Sequence, residues 1–486
     1  AVGKEVGDGV ISTALLGAEL IKKGMELVKE GIRPAKIIEG YSLAYEVCLE
    51  YIDELSTAVK PTDEVLENLA RTALQSKILP EELGDLPEIC KKAAISVLKE
   101  KNTKYTIDLD DIRIVKKDGQ SILDSSLVNG CIIDWTKPAR HGMPKRVEKA
   151  RIALFSCPLR MRKPVLDAKY TIETAQELEE IPLEKNEQAR RIFRDLENLG
   201  ANVIICQEGV DERLINYFLR NDILLIDPVK EDDLKHISKA TGASIIRNID
   251  DILNARVGYA DLVEERPVGK YREKEHDKWT FIEGCKDPKS VTIFVRGSTK
   301  RVIDEVERAI QKTLLTIRNI YDDARIMAGG GSTEIELSRL LRRFAEKRVG
   351  KEQIAILKFA DALEAIPSNI IRNSGLNPTD MMVKLKAYHN FGKRFFGLDS
   401  NDDEIKDMLE NGIYEPSAVK CQILKSAFET AVAVLRIDSI IILSKEDEQE
   451  RSAKPEPATP ISERQPYKVP KKAEFLIEQA KETLRR

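Results

Sequence analysis

The amino-acid sequence predicts a multi-domain protein of α and α/β class, in which an α/β domain is inserted between helical regions. Three observations lead to this prediction. The chain has 486 residues, more than a single hydrophobic core usually organises, so two or three domains are expected. Helical periodicity dominates both ends of the chain. Between about residues 105 and 300, short β-rich runs alternate with amphipathic helical runs, which is typical of βαβ units around a partly parallel sheet.

The first helical region covers residues 12–57. Ser12 or Thr13 can cap the start of a helix. This helix is expected to end at about Lys29, because a glycine and a proline follow soon after. The second helical segment carries one stripe of apolar side chains at spacings of three and four residues, formed by Ile38, Tyr41, Tyr45, Cys48 and Ile52. A third helical stretch, "TDEVLENLARTAL", follows it.

The middle of the chain predicts buried strands separated by amphipathic helices. The strand-like runs are "RIALFSC", "ANVIIC", "DILLI", "ASII", "WTFIEGC" and "VTIFVRG". The helical runs between them are "EKNEQARRIFRDLENLG", "DERLINYFLR" and "KEDDLKHISKATG".

After Lys300 the pattern returns to helix. Because helical regions flank the α/β region, they are expected to form one domain that the chain leaves and re-enters. Residues 446–470 are rich in proline and charge and too poor in apolar side chains to fold, and "AEFLIEQAKETLRR" is a last helical piece. The long helical elements of this region are "KRVIDEVERAIQKTLLTIRNIYDD", "STEIELSRLLRRFAEKRVG" and "SAVKCQILKSAFETAVAVLRIDSIIIL".

Composition narrows the class of protein. Charged residues make up 33% and apolar residues 42%, and 78 Lys and Arg nearly balance 82 Asp and Glu, so neither a nucleic acid nor a membrane is an expected partner. No apolar run approaches a membrane span, and no signal-peptide pattern begins the chain. The seven cysteines are scattered without a CxxC pair, which predicts a reducing, cytoplasmic location rather than disulfides or zinc.

Three features can carry chemistry, and each has a plainer interpretation. In Gly7-Asp8-Gly9, backbone N–H groups before a helix can bind phosphate and the carboxylate can hold Mg²⁺, but the same pattern occurs in ordinary turns. Three consecutive glycines in "IMAGGGSTE" allow close approach of a bulky ligand, or form an interdomain hinge. Asp304 in "VIDEVERAI" has the spacing of an ordinary solvated carboxylate.

Ten segments, in order, resemble the group II chaperonins, which are the thermosomes of archaea and the cytosolic chaperonin of eukaryotes. The likeness extends from about Glu5 to Ile442. The segments are "EVGDG", "GIRPAKIIEGY", "HGMPKRVEKARIALFSCPL", "GANVIICQEGVDE", "YADLVEERPVG", "FIEGCKDPKSVTIFVRG", "DEVERAI", "AGGGSTEIELSRLLRRFA", "EQIAILKFADALEAIPSNI" and "GIYEPSAVKCQILKSAFETAVAVLRID".

The resemblance implies a chaperonin fold and an ATP-dependent molecular chaperone subunit. Such subunits form a double ring with identical or related subunits, and the ring binds and encloses unfolded polypeptides. The implied domains are helical equatorial (1–65 and 320–445), an intermediate hinge (66–130 and 286–319) and an inserted α/β apical domain with a helical protrusion (131–285), followed by a linker and C-terminal helix (446–486).

The resemblance also assigns site residues, with ATP and Mg²⁺ as the implied cofactors. Asp8, between Gly7 and Gly9, aligns with the metal-binding carboxylate of the family's GDGTT motif. Asp304 aligns with the carboxylate that orients the attacking water. The nucleotide's sugar is expected to lie against Gly329, Gly330 and Gly331, with Glu415 as an acidic contact.

Several features depart from the family pattern. Val10 and Ile11 replace two threonines, and losing one donor to a transition-state charge commonly costs about 100- to 1000-fold in rate. The family carries a glycine-rich phosphate loop before this motif, so we expect either a truncated product or a subunit that lacks part of its nucleotide floor. ATP hydrolysis is therefore left open. The alternative function is a structural ring subunit or adaptor with weak or no hydrolysis.

Two further segments remain open as well. The protrusion segment, "TAQELEEIPLEKNEQARRIFRDLENLG", keeps the family's length and is expected to serve as a lid. Its tip (Glu180, Ile181, Pro182) offers few apolar side chains, and Pro182 breaks a helix there. The last helical piece could dock onto the chain, bind a partner or remain a solvated helix.

Overall fold

The computed structural model describes residues 2–75, 83–101, 104–134, 142–160, 187, 189–269, 278–286 and 288–437. One compact unit spans Ala1–Arg436, and a second unit, Ile437–Arg486, falls almost wholly outside the described residues. The protrusion tip and the C-terminal helical piece predicted above also lie outside them. No helix in the described part of the chain is long and apolar enough to cross a membrane.

Helices dominate both ends of the described chain, as the periodicity predicts. They are α1 (Val2–Glu5), α2 (Val10–Lys29), α3 (Pro34–Leu55), α4 (Asp63–Gln75), α5 (Leu86–Ser96), α6 (residues 189–199), α7 (Glu212–Arg220), α8 (Glu231–Thr241), α9 (Lys300–Asp322), α10 (Ser332–Glu346), α11 (Lys351–Leu363), α12 (Ala365–Asn373), α13 (Pro378–Asn390) and α14 (Ser417–Leu435).

The predicted cap of α2 is wrong. The helix begins at Val10, two residues earlier than expected, and its N-cap is Gly9 with φ of +84°. Left-handed backbone at Gly9 turns the chain directly into the helix. The hydroxyl of Thr13, already inside the first turn, donates to the Gly9 carbonyl at 2.8 Å rather than capping an amide.

The predicted strands are confirmed, and further strands accompany them. They are β1 (Thr57–Ala58), β2 (Leu98–Lys101), β3 (Lys104–Ile107), β4 (Ile112–Asp118), β5 (Ser126–Val128), β6 (Cys131–Ile133), β7 (Arg146–Phe155), β8 (Val203–Cys206), β9 (Leu224–Ile226), β10 (Ile245–Ile246), β11 (Gly258–Pro267), β12 (Lys278–Glu283), β13 (Val291–Gly297), β14 (Arg325–Ala328), β15 (Phe396–Asp399), β16 (Glu404–Asp407) and β17 (Tyr414–Pro416).

The central sheet is mixed. Its order is β6-β12-β11-β7-β8-β9, with β10 pairing parallel to β7; the β7–β8 and β8–β9 pairs are parallel, whereas β11, β12 and β6 join antiparallel. The strand "VTIFVRG" lies elsewhere: as β13 it pairs parallel with β4 and antiparallel with β5. Small antiparallel sheets form from β1-β14-β17, β15-β16 and β2-β3.

Buried apolar side chains in the described residues form separate cores. The helical core unites α2, α3, α10, α11 and α14. The middle core unites α4, α5 and α9 with β4 and β13. The sheet core covers both faces of the mixed sheet, because alternate residues of β7 face opposite sides, with Ile152 and Leu154 in one cluster and Ala153 and Phe155 in the other.

Candidate functional site

The Gly7–Gly9 turn packs closely between helices α9 and α14. A Cβ on Gly7 would lie 2.6 Å from both Leu315 Cβ and the Lys312 carbonyl oxygen, and a Cβ on Gly9 would lie 2.6 Å from Ile423. Both glycines have left-handed φ, +83° and +84°. Close packing and backbone geometry therefore both require glycine on each side of the acidic residue.

Helix α9 also secures the approach to this turn. Asn319 donates from Nδ2 to the Val6 carbonyl at 3.0 Å, and Arg318 donates to the Glu5 carbonyl at 3.1 Å. The first amides of α2 have no intrahelical acceptor, as at any helix N-terminus. The turn thus presents backbone donors and one carboxylate at the same point.

The three glycines of "AGGGSTE" connect β14 to α10 and are closely packed. Gly330 and Gly331 have φ of +59° and +76°. A Cβ would meet the Leu398 carbonyl oxygen at 2.6 Å from Gly330 and Pro367 Cβ at 2.6 Å from Gly331, and the Gly329 amide donates to the Ile413 carbonyl at 3.0 Å. This packing is not that of the loose hinge considered as an alternative.

A cavity of about 200 Å³ lies where the helical and middle cores meet. Asp8, Gly330 and Glu415, which are far apart in sequence, all line it. Gly7, Gly9, Gly329 and Gly331 do not appear among its described lining residues; they shape the turns that carry Asp8 and Gly330.

The cavity wall includes polar side chains that the sequence interpretation missed, namely Thr72, Gln75, Thr316, Asp399, Ser400 and Asn401. Asp399 is buried, accepts from the Asn401 amide at 2.9 Å and lies 3.6 Å from the Lys406 ammonium. The one available signal was an acidic residue at the end of the short strand "FGLD", and this pattern is common in turns.

Glu415 belongs to a cluster of charged side chains together with Lys420 and Glu334. The ammonium of Lys420 donates to Glu334 Oε1 at 2.8 Å and lies 3.2 Å from Glu415 Oε2. Burial acts to lower the pKa of Lys420, but the carboxylates of Glu334 and Glu415 outweigh it and raise that pKa. Lys420 therefore carries the positive charge that lets two acidic groups share one wall.

The environment of Glu415, by contrast, favours the neutral form of its side chain. Desolvation in the cavity wall raises the pKa of its carboxyl, and the negative charges of Glu334 and Asp8 act in the same direction against Lys420. Glu334 itself is buried, and its Oε2 has no hydrogen-bond partner among the described residues. The wall thus holds more negative than positive charge, which suits a site for a cation-bound ligand.

Asp304 lies apart from the cavity. It is 12 residues before Thr316 on α9, or about 18 Å along the helix axis. Its carboxylate is half-exposed and accepts from Lys116 Nζ at 2.6 Å, and this hydrogen bond holds the pKa of Asp304 below its usual value. The structure therefore brings Asp8, Gly330 and Glu415 together and leaves Asp304 outside.

Val10 and Ile11, the two apolar replacements in the motif, face solvent. Their exposed fractions are 46% and 83%, and neither is among the described residues that line the cavity. The apolar groups therefore do not fill the cavity, although the hydroxyls that threonine would supply are missing.

The acidic residues of the site bear on whether it can hold a metal ion. Among the described residues, no cluster of three or more His, Cys, Asp or Glu could hold a metal ion. Mg²⁺ is commonly held by one or two carboxylates together with substrate phosphates and water. A single carboxylate at Asp8, beside helix N-terminal amides, fits a magnesium ion that arrives with a phosphorylated ligand.

Comparisons with known proteins agree with the architecture and the motif order. The model of the TCP-1/cpn60 chaperonin family matches residues 1–445. A thermosome subunit of Methanopyrus kandleri is 40% identical over 438 residues, which covers 90% of this chain and 79% of that protein. A thermosome subunit of Pyrococcus horikoshii is 39% identical over 453 residues, covering 93% and 81%. The open-state monomer of a group II chaperonin from Methanococcoides burtonii superposes with a TM-score of 0.59 at 36% identity, covering 89% of this chain and all of that one.

Proposed function

The chain belongs to the TCP-1/cpn60 chaperonin family and is a chaperonin subunit that acts in protein folding; from this we propose that it binds MgATP in the cavity beside Asp8 and hydrolyses it. The observation that carries the proposal is the convergence of Asp8, Gly330 and Glu415 on one cavity. ATP supplies the phosphoanhydride bond, and Mg²⁺ bound with it would neutralise phosphate charge.

Each of these residues would contact a different part of MgATP. Asp8 would hold the metal ion, while the α2 amides that follow it would donate to phosphate oxygens. Gly330 allows the sugar to approach the backbone, and Glu415, kept in place by Lys420, would accept from a sugar hydroxyl. The cavity is smaller than the roughly 300–1,000 Å³ of most ligand sites, so the phosphates would extend out toward the α2 turn.

Asp304 enters this proposal as the residue that orients the attacking water. Because it lies about 18 Å along α9 from the cavity wall, it can do so only after the region that carries it rotates toward the nucleotide. Hydrolysis would then depend on conformation, since the water is aligned only in the closed arrangement.

Domain and partner assignments complete the proposal. The helical core would belong to an equatorial domain, the middle core to a hinge domain and the mixed sheet to an apical domain, with the boundaries given by the family pattern. We propose that the chain joins a ring of identical or related subunits and binds unfolded polypeptides.

A second candidate is a structural ring subunit that binds nucleotide without turning it over. The exposed Val10 and Ile11 favour it, because the hydroxyls that would meet the phosphates are absent. Retention of Asp8 at the cavity opposes it.

The test measures MgATP binding by titration calorimetry and turnover by phosphate release, with particle size on the same sample. Asp8→Asn should weaken Mg²⁺-dependent nucleotide binding about 10- to 100-fold, because it removes a charged contact. Asp380→Asn, an exposed acid in the first turn of α13, is the matched control and should change nothing. Binding without turnover in a large particle would favour the structural subunit. Binding that Asp8→Asn leaves intact would contradict the proposed site.

A further inference from the structure

Lys116 bridges two acidic side chains one turn apart on α9. Its Nζ lies 2.6 Å from Asp304 Oδ1 and 2.6 Å from Glu307 Oε2. The helix spacing of three residues places both carboxylates on one face, so a single ammonium reaches both. The family pattern assigns no role to this lysine in the function proposed above.

The bridge is built into one rigid unit of the fold. Lys116 lies on β4 directly opposite Val295 of β13, in a parallel pair. The chain passes from β13 through the N-cap residue Thr299, whose hydroxyl accepts from the Val302 amide, into α9. Helix α9 packs on the same strands in the middle core. Lys116 therefore moves with Asp304 wherever α9 moves.

The two oxygens of Asp304 have different surroundings. Oδ1 accepts from Lys116, whereas no hydrogen bond to Oδ2 is found within the described ranges. Glu307 and Arg308, on the same part of α9, line an open cleft of about 960 Å³, so water reaches this face of the helix. One oxygen is thus fixed and the other is available.

We propose that Lys116 is a positioning residue for hydrolysis: by holding Asp304 Oδ1 against a bridge anchored at Glu307, it presents Oδ2 to the attacking water. This inference rests on the proposed function, in which Asp304 orients that water. Because the ion pair of Lys116 and Asp304 lies at the surface, it adds little to the stability of the fold. Its proposed role is to orient the Asp304 carboxylate. The order of events would be rotation of α9, approach of Oδ2 to the water, and attack of the water oxygen on the terminal phosphorus as the bond from that phosphorus to the ADP oxygen breaks. The water's proton would pass through Oδ2 to the departing inorganic phosphate.

The charges around Asp304 indicate what loss of the lysine would do. Lys116 faces it from β4, while Glu307, Arg308 and Lys300 face it from its own helix. The Lys116 hydrogen bond is the largest influence that lowers the Asp304 pKa. Without the lysine that pKa rises, so the acidic limb of the turnover profile should move to higher pH.

The experiment compares Lys116→Met and Lys116→Arg with Lys92→Met, which removes an exposed lysine paired with Glu88 at 2.7 Å on α5. In Lys116→Met, kcat should fall about 10- to 100-fold with KM for ATP little changed, because a misaligned carboxylate slows chemistry without weakening binding. Lys116→Arg should recover most of the rate. Nucleotide affinity by calorimetry and the melting temperature should match those of the unaltered chain.

A second readout needs no turnover. Carbodiimide labels protonated carboxyl groups, and peptide mapping by mass spectrometry can follow Asp304 without nucleotide. Asp304 should label more readily in Lys116→Met, and equally in Lys92→Met and the unaltered chain. Unchanged labelling, or a kcat loss matched by a lower melting temperature and not rescued by arginine, would overturn the inference. An unaltered chain that binds MgATP through Asp8 yet shows no turnover would overturn it too, while leaving the nucleotide site standing.

Discussion

At the scale of single residues, Gly331 shows how backbone and packing reinforce each other. Its φ of +76° is left-handed, and its Cβ position lies 2.6 Å from Pro367 Cβ. Gly375 has the same φ of +76°, but nothing lies within 4 Å of its Cβ position. The two glycines thus separate conformational strain from steric overlap within one chain.

Gly331→Ala and Gly375→Ala are a matched pair. Both should lose about 1–2 kcal/mol for the left-handed residue. Only Gly331→Ala should lose about 1–3 kcal/mol more through overpacking against Pro367, and it should also weaken nucleotide binding by shifting Gly330. Chemical denaturation and calorimetric titration measure the two effects. Equal losses in both variants would show that Pro367 yields freely.

The sequence singled out Asp8 and Gly330, which both line the cavity, because each lies in a short motif with unusual backbone demands. It could not locate Lys420, Glu334 or Asp399. Their roles depend on contacts between segments such as Glu334 and Lys420, 86 positions apart. Local periodicity carries no information about such pairs.

At the scale of elements, a buried histidine joins two helices and a strand. His389 on α13 lies 2.8 Å through Nδ1 from Glu336 Oε2 on α10, and 2.8 Å through Nε2 from the Phe396 carbonyl on β15. Both side chains are buried. Burial by itself raises the pKa of Glu336, but His389 and Arg339 outweigh it and lower the pKa to about 2.

This carboxyl makes stability depend on pH. Because its pKa is depressed in the folded state, its contribution is present above about pH 4.5 and is lost as pH falls toward 2. The shift corresponds to about 3 kcal/mol. Glu336→Gln should therefore be less stable at neutral pH, and the difference from the unaltered chain should shrink on acidification. Thermal melting between pH 7 and pH 3 follows this, with the surface variant Glu88→Gln as control; a pH-independent difference would contradict it.

Element types were predicted better than their partners. The long helix over 300–323 and the apolar strands carried strong periodicity and were confirmed. The strand pattern alone grouped "VTIFVRG" with the other apolar runs of the α/β region, whereas the family resemblance placed it with residues 66–130, where its parallel partner β4 lies. The pattern did not indicate this partner, because β4 is a charged segment with weak alternation. The α2 cap was misplaced because glycine, not a hydroxyl, starts that helix.

At the scale of the whole molecule, most buried apolar side chains of the described residues lie in the helical, middle and sheet cores. The cavity beside Asp8 contacts α4 and α9 of the middle core as well as α14 of the helical core. A ligand there would stabilise these two cores and leave the sheet core untouched.

Calorimetric unfolding should therefore show more than one transition. MgADP at about 100 times its Kd should add about 2.7 kcal/mol to the cores that touch the cavity. The transition of the sheet core should not move. A single two-state transition that shifts as a whole on nucleotide addition would show that the cores unfold as one.

The overall architecture followed from the sequence because the switch from helical to β-rich patterning marks where the chain enters and leaves the inserted region. The separation of Asp304 from the cavity could not be predicted from the sequence. The position of Asp304 depends on the relative orientation of α9 and the Gly7–Gly9 turn, which is set by tertiary packing.

Helix α9 contacts the Gly7 turn near Lys312 and carries Asp304 eight residues earlier, about 12 Å away along one uninterrupted helix. Each residue of an α-helix advances the side-chain direction by about 100°. One added or deleted residue between these points would turn Asp304, together with its bridge to Lys116, relative to the Gly7 turn, while leaving every side chain chemically intact. This stretch can therefore diverge by substitution during evolution but not by insertion or deletion, and its length should be invariant among relatives that retain hydrolysis.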